Sequence, residues 1–116
     1  LAVSTDVSQE VGIDVAYWTQ LEAAEYFSGR QLLPGSTPYA VRYAGHQFQH
    51  FVPQLGDGRA ISLGQLRTPD GLVELQLKGA GRTPFSRFGD GFAVLRSSIR
   101  EFLCSEGALS VYALWW

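Results

Sequence analysis

Apolar and polar positions alternate most regularly between residues 59 and 78. In Leu72-Val73-Glu74-Leu75-Gln76-Leu77-Lys78, the residues Val73, Leu75 and Leu77 share one face and Glu74, Gln76 and Lys78 the other. Ala60-Ile61-Ser62-Leu63-Gly64 alternates in the same way, and Thr68-Pro69-Asp70-Gly71 between the two runs has Pro and Gly where a β-turn takes them. The pattern predicts an antiparallel hairpin over 59–78, entered through the turn Gly56-Asp57-Gly58. Two stretches show a helical period instead. Val15, Trp18, Leu21 and Ala24 recur at three-residue steps and predict a helix over about 14–28, capped by Asp14 and ended by Ser28-Gly29. Leu95, Ile99, Phe102 and Leu103 form an apolar stripe at i, i+4, i+7 and i+8, predicting a helix over Phe92–Ser105 with Asp90 as its cap and Gly107 as its end. Residues 1–12 read as a polar leader or loose strand, Leu33–Pro38 as a turn-rich linker and Tyr39–Tyr43 as a short strand. Antiparallel strands followed by a helix give an α+β class.

The chain has 116 residues and forms one domain at most. Its net charge of −2 does not mark a nucleic-acid binder. The cations are uneven, however: Arg59, Arg67, Lys78, Arg82, Arg87, Arg96 and Arg100 all lie in the second half, which can face an anion locally. Cys104 is the sole cysteine, so an intramolecular disulfide is excluded, and its place beside the apolar stripe points to core packing. No apolar run approaches the ~20 residues that span a bilayer, so no membrane partner is expected. The start has neither a basic nor an apolar segment of a signal peptide. The tail Ser110-Val111-Tyr112-Ala113-Leu114-Trp115-Trp116 is apolar and stops abruptly, the ordinary appearance of a chain with more to follow.

The chemistry lies in an order of parts: glycine loop, strand, turn, strand ending in lysine, loop, helix. Glycines let backbone N–H groups approach phosphates with no Cβ in the way. Lys78 offers a compact positive charge at the strand end, and a helix carboxylate, Glu101 or Glu106, can hold that charge in place. Kinase-type sites pair a strand lysine with a helix glutamate in this manner. The bland alternatives are a plain hairpin turn, a solvated lysine and a surface ion pair. His46 and His50, four apart, have helical metal-ligand spacing, but no acidic residue lies between them, and a satisfied or exposed pair is the better reading.

Five stretches, in order, closely resemble the selenoprotein O family. They are Tyr43-Ala44-Gly45-His46-Gln47-Phe48, Gln54-Leu55-Gly56-Asp57-Gly58-Arg59-Ala60, Leu77-Lys78-Gly79-Ala80-Gly81, Thr83-Pro84-Phe85-Ser86-Arg87 and Ala93-Val94-Leu95-Arg96-Ser97-Ser98-Ile99-Arg100-Glu101. The resemblance covers roughly residues 32–106. It implies a protein-kinase-like fold of which this chain is the N-lobe, truncated before the C-lobe. It also implies ATP bound in an orientation flipped relative to kinases, and transfer of AMP to Ser, Thr or Tyr hydroxyls of proteins with Mg²⁺ or Mn²⁺. By motif position, Gly56, Gly58, Arg59, Lys78, Asp90 and Gly91 look like nucleotide contacts and Glu101 like the partner that positions Lys78. The family's catalytic and metal-binding residues have no counterpart in this chain. Phe92 stands where the family usually has arginine, and Gln49 where it usually has glycine.

The expectation is therefore an N-terminal extension over 1–31, a nucleotide-binding lobe over 32–106 and a divergent tail over 107–116. The resemblance implies the ATP-binding portion of a protein adenylyltransferase, expected to be inactive alone, whose partners would be ATP and, in the complete enzyme, protein substrates, with no nucleic acid. The alternatives are a nucleotide-binding pseudoenzyme remnant and a non-functional truncated product. The sequence leaves the compartment open; the resemblance implies mitochondria for a eukaryotic chain and the cytoplasm for a bacterial one.

Overall fold

The computed structural model describes residues 2–112. Three short helical segments come first: α1 (Thr5–Glu10), a 3₁₀ helix (Val15–Thr19) and α2 (Leu21–Phe27). Two hairpins follow, β1 (Tyr43–Gln47) with β2 (His50–Gly56) and β3 (Ala60–Thr68) with β4 (Gly71–Lys78), each a separate antiparallel pair. The helix α3 (Leu95–Tyr112) closes the order. No helix among the described residues is long and apolar enough to cross a membrane.

The β3–β4 hairpin is the one the alternation predicts. Thr68 pairs with Gly71 across the Pro69-Asp70 turn, and Ala60 pairs with Lys78 at the open end. Leu77 is buried, with Val73 and Leu75 partly so, while Glu74, Gln76 and Lys78 are exposed. A bulge between Ser62 and Gly64 bends β3, and Gly64 takes a φ of 120°, open to glycine.

The N-terminal segment is more ordered than its polar composition indicates. In place of a leader or loose strand there is α1, anchored by Ser8, which is 1 % exposed. The Ser8 hydroxyl donates to the Ile13 carbonyl and accepts from Trp18 Nε1 at 2.8 Å. In place of one helix over 14–28, the 3₁₀ helix and α2 are separated by Gln20, whose ψ of 151° is extended. The physical reason is visible in the spacing: a strict three-residue step matches the 3.0 residues per turn of a 3₁₀ helix better than the α period. Asp14 caps the 3₁₀ segment by accepting from Ala16 N–H at 2.7 Å, and Ser28-Gly29 ends α2 as expected, with Gly29 at φ 78°. Gly29 then lies against the sheet, where an added Cβ would be 3.2 Å from Ala80 Cβ and 3.5 Å from Leu77 Cδ1. Among the described residues, Val11, Ala23, Tyr26, Leu63 and Leu77 are the buried apolar ones.

Other boundaries shift for similar reasons. Tyr39 makes a single bridge to Ser62 instead of opening a strand over 39–43, and pairing begins at Tyr43. His46 and His50 stand on opposite strands of the β1–β2 hairpin, with His46 opposite Phe51 and Gln47 opposite His50. Their helical metal-ligand spacing therefore has no helix to act on. Phe48 and Gln49 form the two-residue turn with φ of 50° and 68°, both left-handed, a turn type that favours glycine. The helix expected over 92–105 starts at Leu95 because Phe92 is bridged to Ala80, and Ala93 N–H donates to the Gly79 carbonyl at 3.0 Å. Asp90 consequently does not cap α3; it accepts from Phe92 N–H at 3.0 Å in a local turn. Gly107 does not end α3 but lies inside it. Cys104 is exposed, contrary to core packing, and so are Leu95, Ile99 and Leu103. The remainder of the apolar tail, residues 113–116, lies outside the described residues.

Candidate functional site

The end of β4, the loop between β2 and β3, the start of α3 and the 83–91 loop surround a pocket of about 440 Å³. Gly56, Gly58, Arg59, Lys78, Gly91 and Glu101 all line it. Six of the seven residues singled out from the sequence thus meet in one place. Asp90, the seventh, is adjacent in the chain but does not line the pocket.

Lys78 Nζ lies 3.7 Å from Glu101 Oε2, and both side chains are about half exposed. An ion pair this open contributes at most ~1 kcal/mol to stability; its consequence is where it holds the ammonium. Glu106, the other candidate partner, instead accepts from Ser4 Oγ at 3.2 Å. A Cβ built on Gly58 would sit 3.4 Å from the Tyr43 ring and 3.9 Å from Lys78 Nζ, so the glycine loop and the ammonium face the same space. Arg59 adopts a φ of 61° and directs its guanidinium to the Phe92 carbonyl at 3.4 Å, while its own carbonyl accepts from Gly79 N–H at 2.8 Å.

The loop conformation is set by Asp57, which is buried. Its carboxylate accepts from Arg59 N–H at 2.8 Å and from the Thr83 hydroxyl. Burial works against its charge. Those two hydrogen bonds and the nearby Lys78 ammonium outweigh burial and hold the carboxyl below the usual carboxylate range. Thr83 is itself oriented, since its hydroxyl accepts from Phe85 N–H at 3.1 Å, and Ser86 Oγ accepts from Thr83 N–H at 2.9 Å. Arg87 donates to Gln47 Oε1 at 2.8 Å, bringing a third cation to the pocket wall and tying the 83–91 loop to β1.

Two glycines are required by close backbone approach. A Cβ on Gly91 would fall 2.1 Å from the Gly81 carbonyl oxygen, and one on Gly79 would fall 2.4 Å from Ala93 Cβ. The segment before α3 therefore crosses directly over the segment after β4.

Asp57, Thr83, Tyr43 and Arg87 were missed as functional positions in the sequence. Thr83-Pro84-Phe85-Ser86 carries a hydroxyl-turn signature that marks a side chain bonded to nearby backbone, though nothing local names Asp57 as the distant partner. Lining the pocket are three cations, Arg59, Lys78 and Arg87, against two carboxylates, Asp57 and Glu101, both already engaged. The arrangement suits an anion. Among the described residues no group of three or more His, Cys, Asp or Glu side chains could hold a metal ion.

The family model described as "Protein adenylyltransferase SelO" matches residues 1–112. The chain belongs to the SelO family. SelO relatives include proteins named "Protein nucleotidyltransferase YdiU". That of Xanthomonas axonopodis pv. citri is 58% identical over 107 residues, which is 91% of this chain and 21% of the relative. The one from Dechloromonas aromatica is 58% identical over 106 residues, again 91% and 21%. The one from Nitrosospira multiformis is 54% identical over 112 residues, covering 96% of this chain and 20% of the relative. The chain spans about a fifth of the length of the curated SelO relatives it matches.

Proposed function

We propose that the pocket holds the phosphates of ATP, and that the chain is the ATP-binding portion of a protein adenylyltransferase with a protein-kinase-like N-lobe. The complete enzyme moves AMP from ATP to Ser, Thr or Tyr hydroxyls of proteins. The observation that carries this reading is the Lys78 ammonium, held by Glu101 beside the Gly56–Gly58 backbone on the wall of an anion-suited pocket. The family description and the relatives' names supply the reaction class.

In this reading the backbone at Gly56 and Gly58 and the side chains of Arg59 and Lys78 bind phosphate oxygens, and Glu101 positions Lys78. Gly91 shapes the floor, and Asp90 contacts the nucleotide from the rim. The charge on a triphosphate with departing pyrophosphate is what such donors offset. Mg²⁺ or Mn²⁺ belongs to the complete family enzyme. The described residues of this chain offer no cluster of three or more His, Cys, Asp or Glu side chains for it. In this reading the chain alone transfers no AMP: Glu101 is paired with Lys78, and the Asp57 carboxylate is taken up by Thr83 and the Arg59 N–H.

Two measurements test this. Calorimetry of the chain with ATP should show binding that Lys78→Ala weakens by about tenfold or more, the loss expected for a hydrogen bond to a charged group. Unchanged affinity would leave Lys78 as a solvated strand end. A chimera in which this chain replaces the matching fifth of a YdiU relative should transfer labelled AMP to protein, while the isolated chain and the Lys78→Ala chimera should not. A chimera that binds ATP without transfer would favour a nucleotide-binding remnant.

A further inference from the structure

The face of the β3–β4 hairpin that carries Lys78 holds a second hollow, further along the strands. Ser62 pairs with Gln76 across the hairpin, and Tyr39 bridges to Ser62 from the other side. Directly paired residues project to the same face, so Tyr39, Ser62 and Gln76 stand in a row, and Glu74 joins them two residues on from Gln76. With Val41 and Ala60 they enclose about 310 Å³.

The hollow is an acceptor site with its donor missing. Gln76 Nε2 donates to Glu74 Oε1 at 3.1 Å, which turns one amide hydrogen inward and leaves the amide oxygen and the second carboxylate oxygen as acceptors. Ser62 is 5 % exposed and its Oγ makes no hydrogen bond of ordinary geometry. A hydroxyl buried to that degree is normally hydrogen-bonded. Tyr39, half exposed, supplies an aromatic wall. No lysine or arginine lines the hollow, and among the described residues no cation pairs with Glu74. The site is therefore anionic at neutral pH.

We propose that this hollow is a binding site for a guanidinium group, seated against Glu74, Ser62 and the Tyr39 ring. A guanidinium is planar, carries five N–H donors in a fixed fork and stacks on aromatic faces. It can reach a carboxylate, an amide oxygen and a hydroxyl at once. An ammonium has the charge but not the plane. A metal ion would find a single carboxylate. The inference is independent of the nucleotide reading, because none of the residues lining the hollow also lines the Lys78 pocket.

Methylguanidinium is the probe, with methylammonium as the control, followed by amide chemical shifts and calorimetry on the full chain. Saturable shifts centred on Ser62, Glu74 and Gln76 are expected, with methylammonium and the Glu74→Gln variant both weaker by about tenfold or more. Acetylated, amidated arginine represents a guanidinium presented by a protein and agmatine a free one; the tighter of the two assigns the source. Ser62→Ala adds a second readout. It should raise the melting temperature of the free chain by removing an unsatisfied buried hydroxyl, yet weaken methylguanidinium binding. Shifts that fail to saturate, binding indifferent to Glu74→Gln, or a Ser62→Ala variant with a lowered melting temperature would overturn the proposal. ATP binding should persist in Glu74→Gln, so failure here and failure of the nucleotide reading remain distinguishable.

Discussion

Asp57 lies between two turn glycines, buried, and joined to a hydroxyl 26 positions away. Its lowered pKa makes it a source of acid sensitivity. The ionised form is favoured by the fold, so the stability it contributes is fully present above the ordinary value of 3.8 and is lost as pH falls from there through the lower folded value. Thr83→Val, which removes the hydroxyl donor, should bring acid unfolding on at higher pH. Asp57→Asn should lower stability at neutral pH and flatten its dependence on pH below 3.8. Urea midpoints measured across the acid range check both; an acid limb identical in all three proteins would remove Asp57 from the account. This knot was not legible in the sequence. A Gly-Asp-Gly turn announces its glycines, but a carboxylate's distant partner is fixed by how two loops meet in space. Lys78 and Glu101 were legible because each stands at a periodic position of its own element, the strand end and the edge of the helix stripe.

At the scale of elements, alternation located the β3–β4 hairpin because one face is buried and the other is not, which is what a period of two records. Helix ends were less legible. The start of α3 is delayed by backbone pairing of Phe92 and Ala93 with Ala80 and Gly79, a long-range event with no local signal. Its passage through Gly107 shows a glycine without its usual terminating role. Beyond its own helix backbone and chain neighbours, Gly107 has no described atom within 4 Å of where a Cβ would stand, and its φ is not left-handed. Gly107→Ala should therefore stabilise the chain by about 0.4–1 kcal/mol through helix propensity and a less free unfolded state. Thermal or urea unfolding checks this; a loss of stability would mean that the helix bends or contacts something at that point.

At the scale of the whole molecule, the described residues bury few large apolar side chains and show many. Phe48 is 87% exposed, Phe88 92% and Leu95 76%, and Ile99 and Leu103 continue the α3 stripe into solvent. That distribution is unusual for a lone soluble domain. This chain in isolation should self-associate as its concentration rises and should bind an apolar dye such as ANS. Sedimentation velocity over a concentration series, with dye fluorescence, checks it; a monomer throughout, dark to the dye, would show that these side chains fold back in solution. The same distribution explains why the apolar stripe of α3 misled on Cys104: a helical period marks a face to be covered, and does not say that this chain covers it.

The crossing at Gly81 and Gly91 bears on how such a site tolerates change. Their backbones touch, and beside them Ala80 bridges to Phe92 and Ala93 N–H donates to the Gly79 carbonyl, so residues 82–90 form a loop whose two ends are held together. Chain added at its tip, around the exposed Phe88 and Gly89, is insulated from the spacing between β4 and α3. A reporter label or insertion at Gly89, which meets nothing within 4 Å, should thus leave the distance between the lysine and its glutamate unchanged, whereas Phe88 beside it belongs to the pocket wall. The crossing works as a calliper, set by two missing side chains.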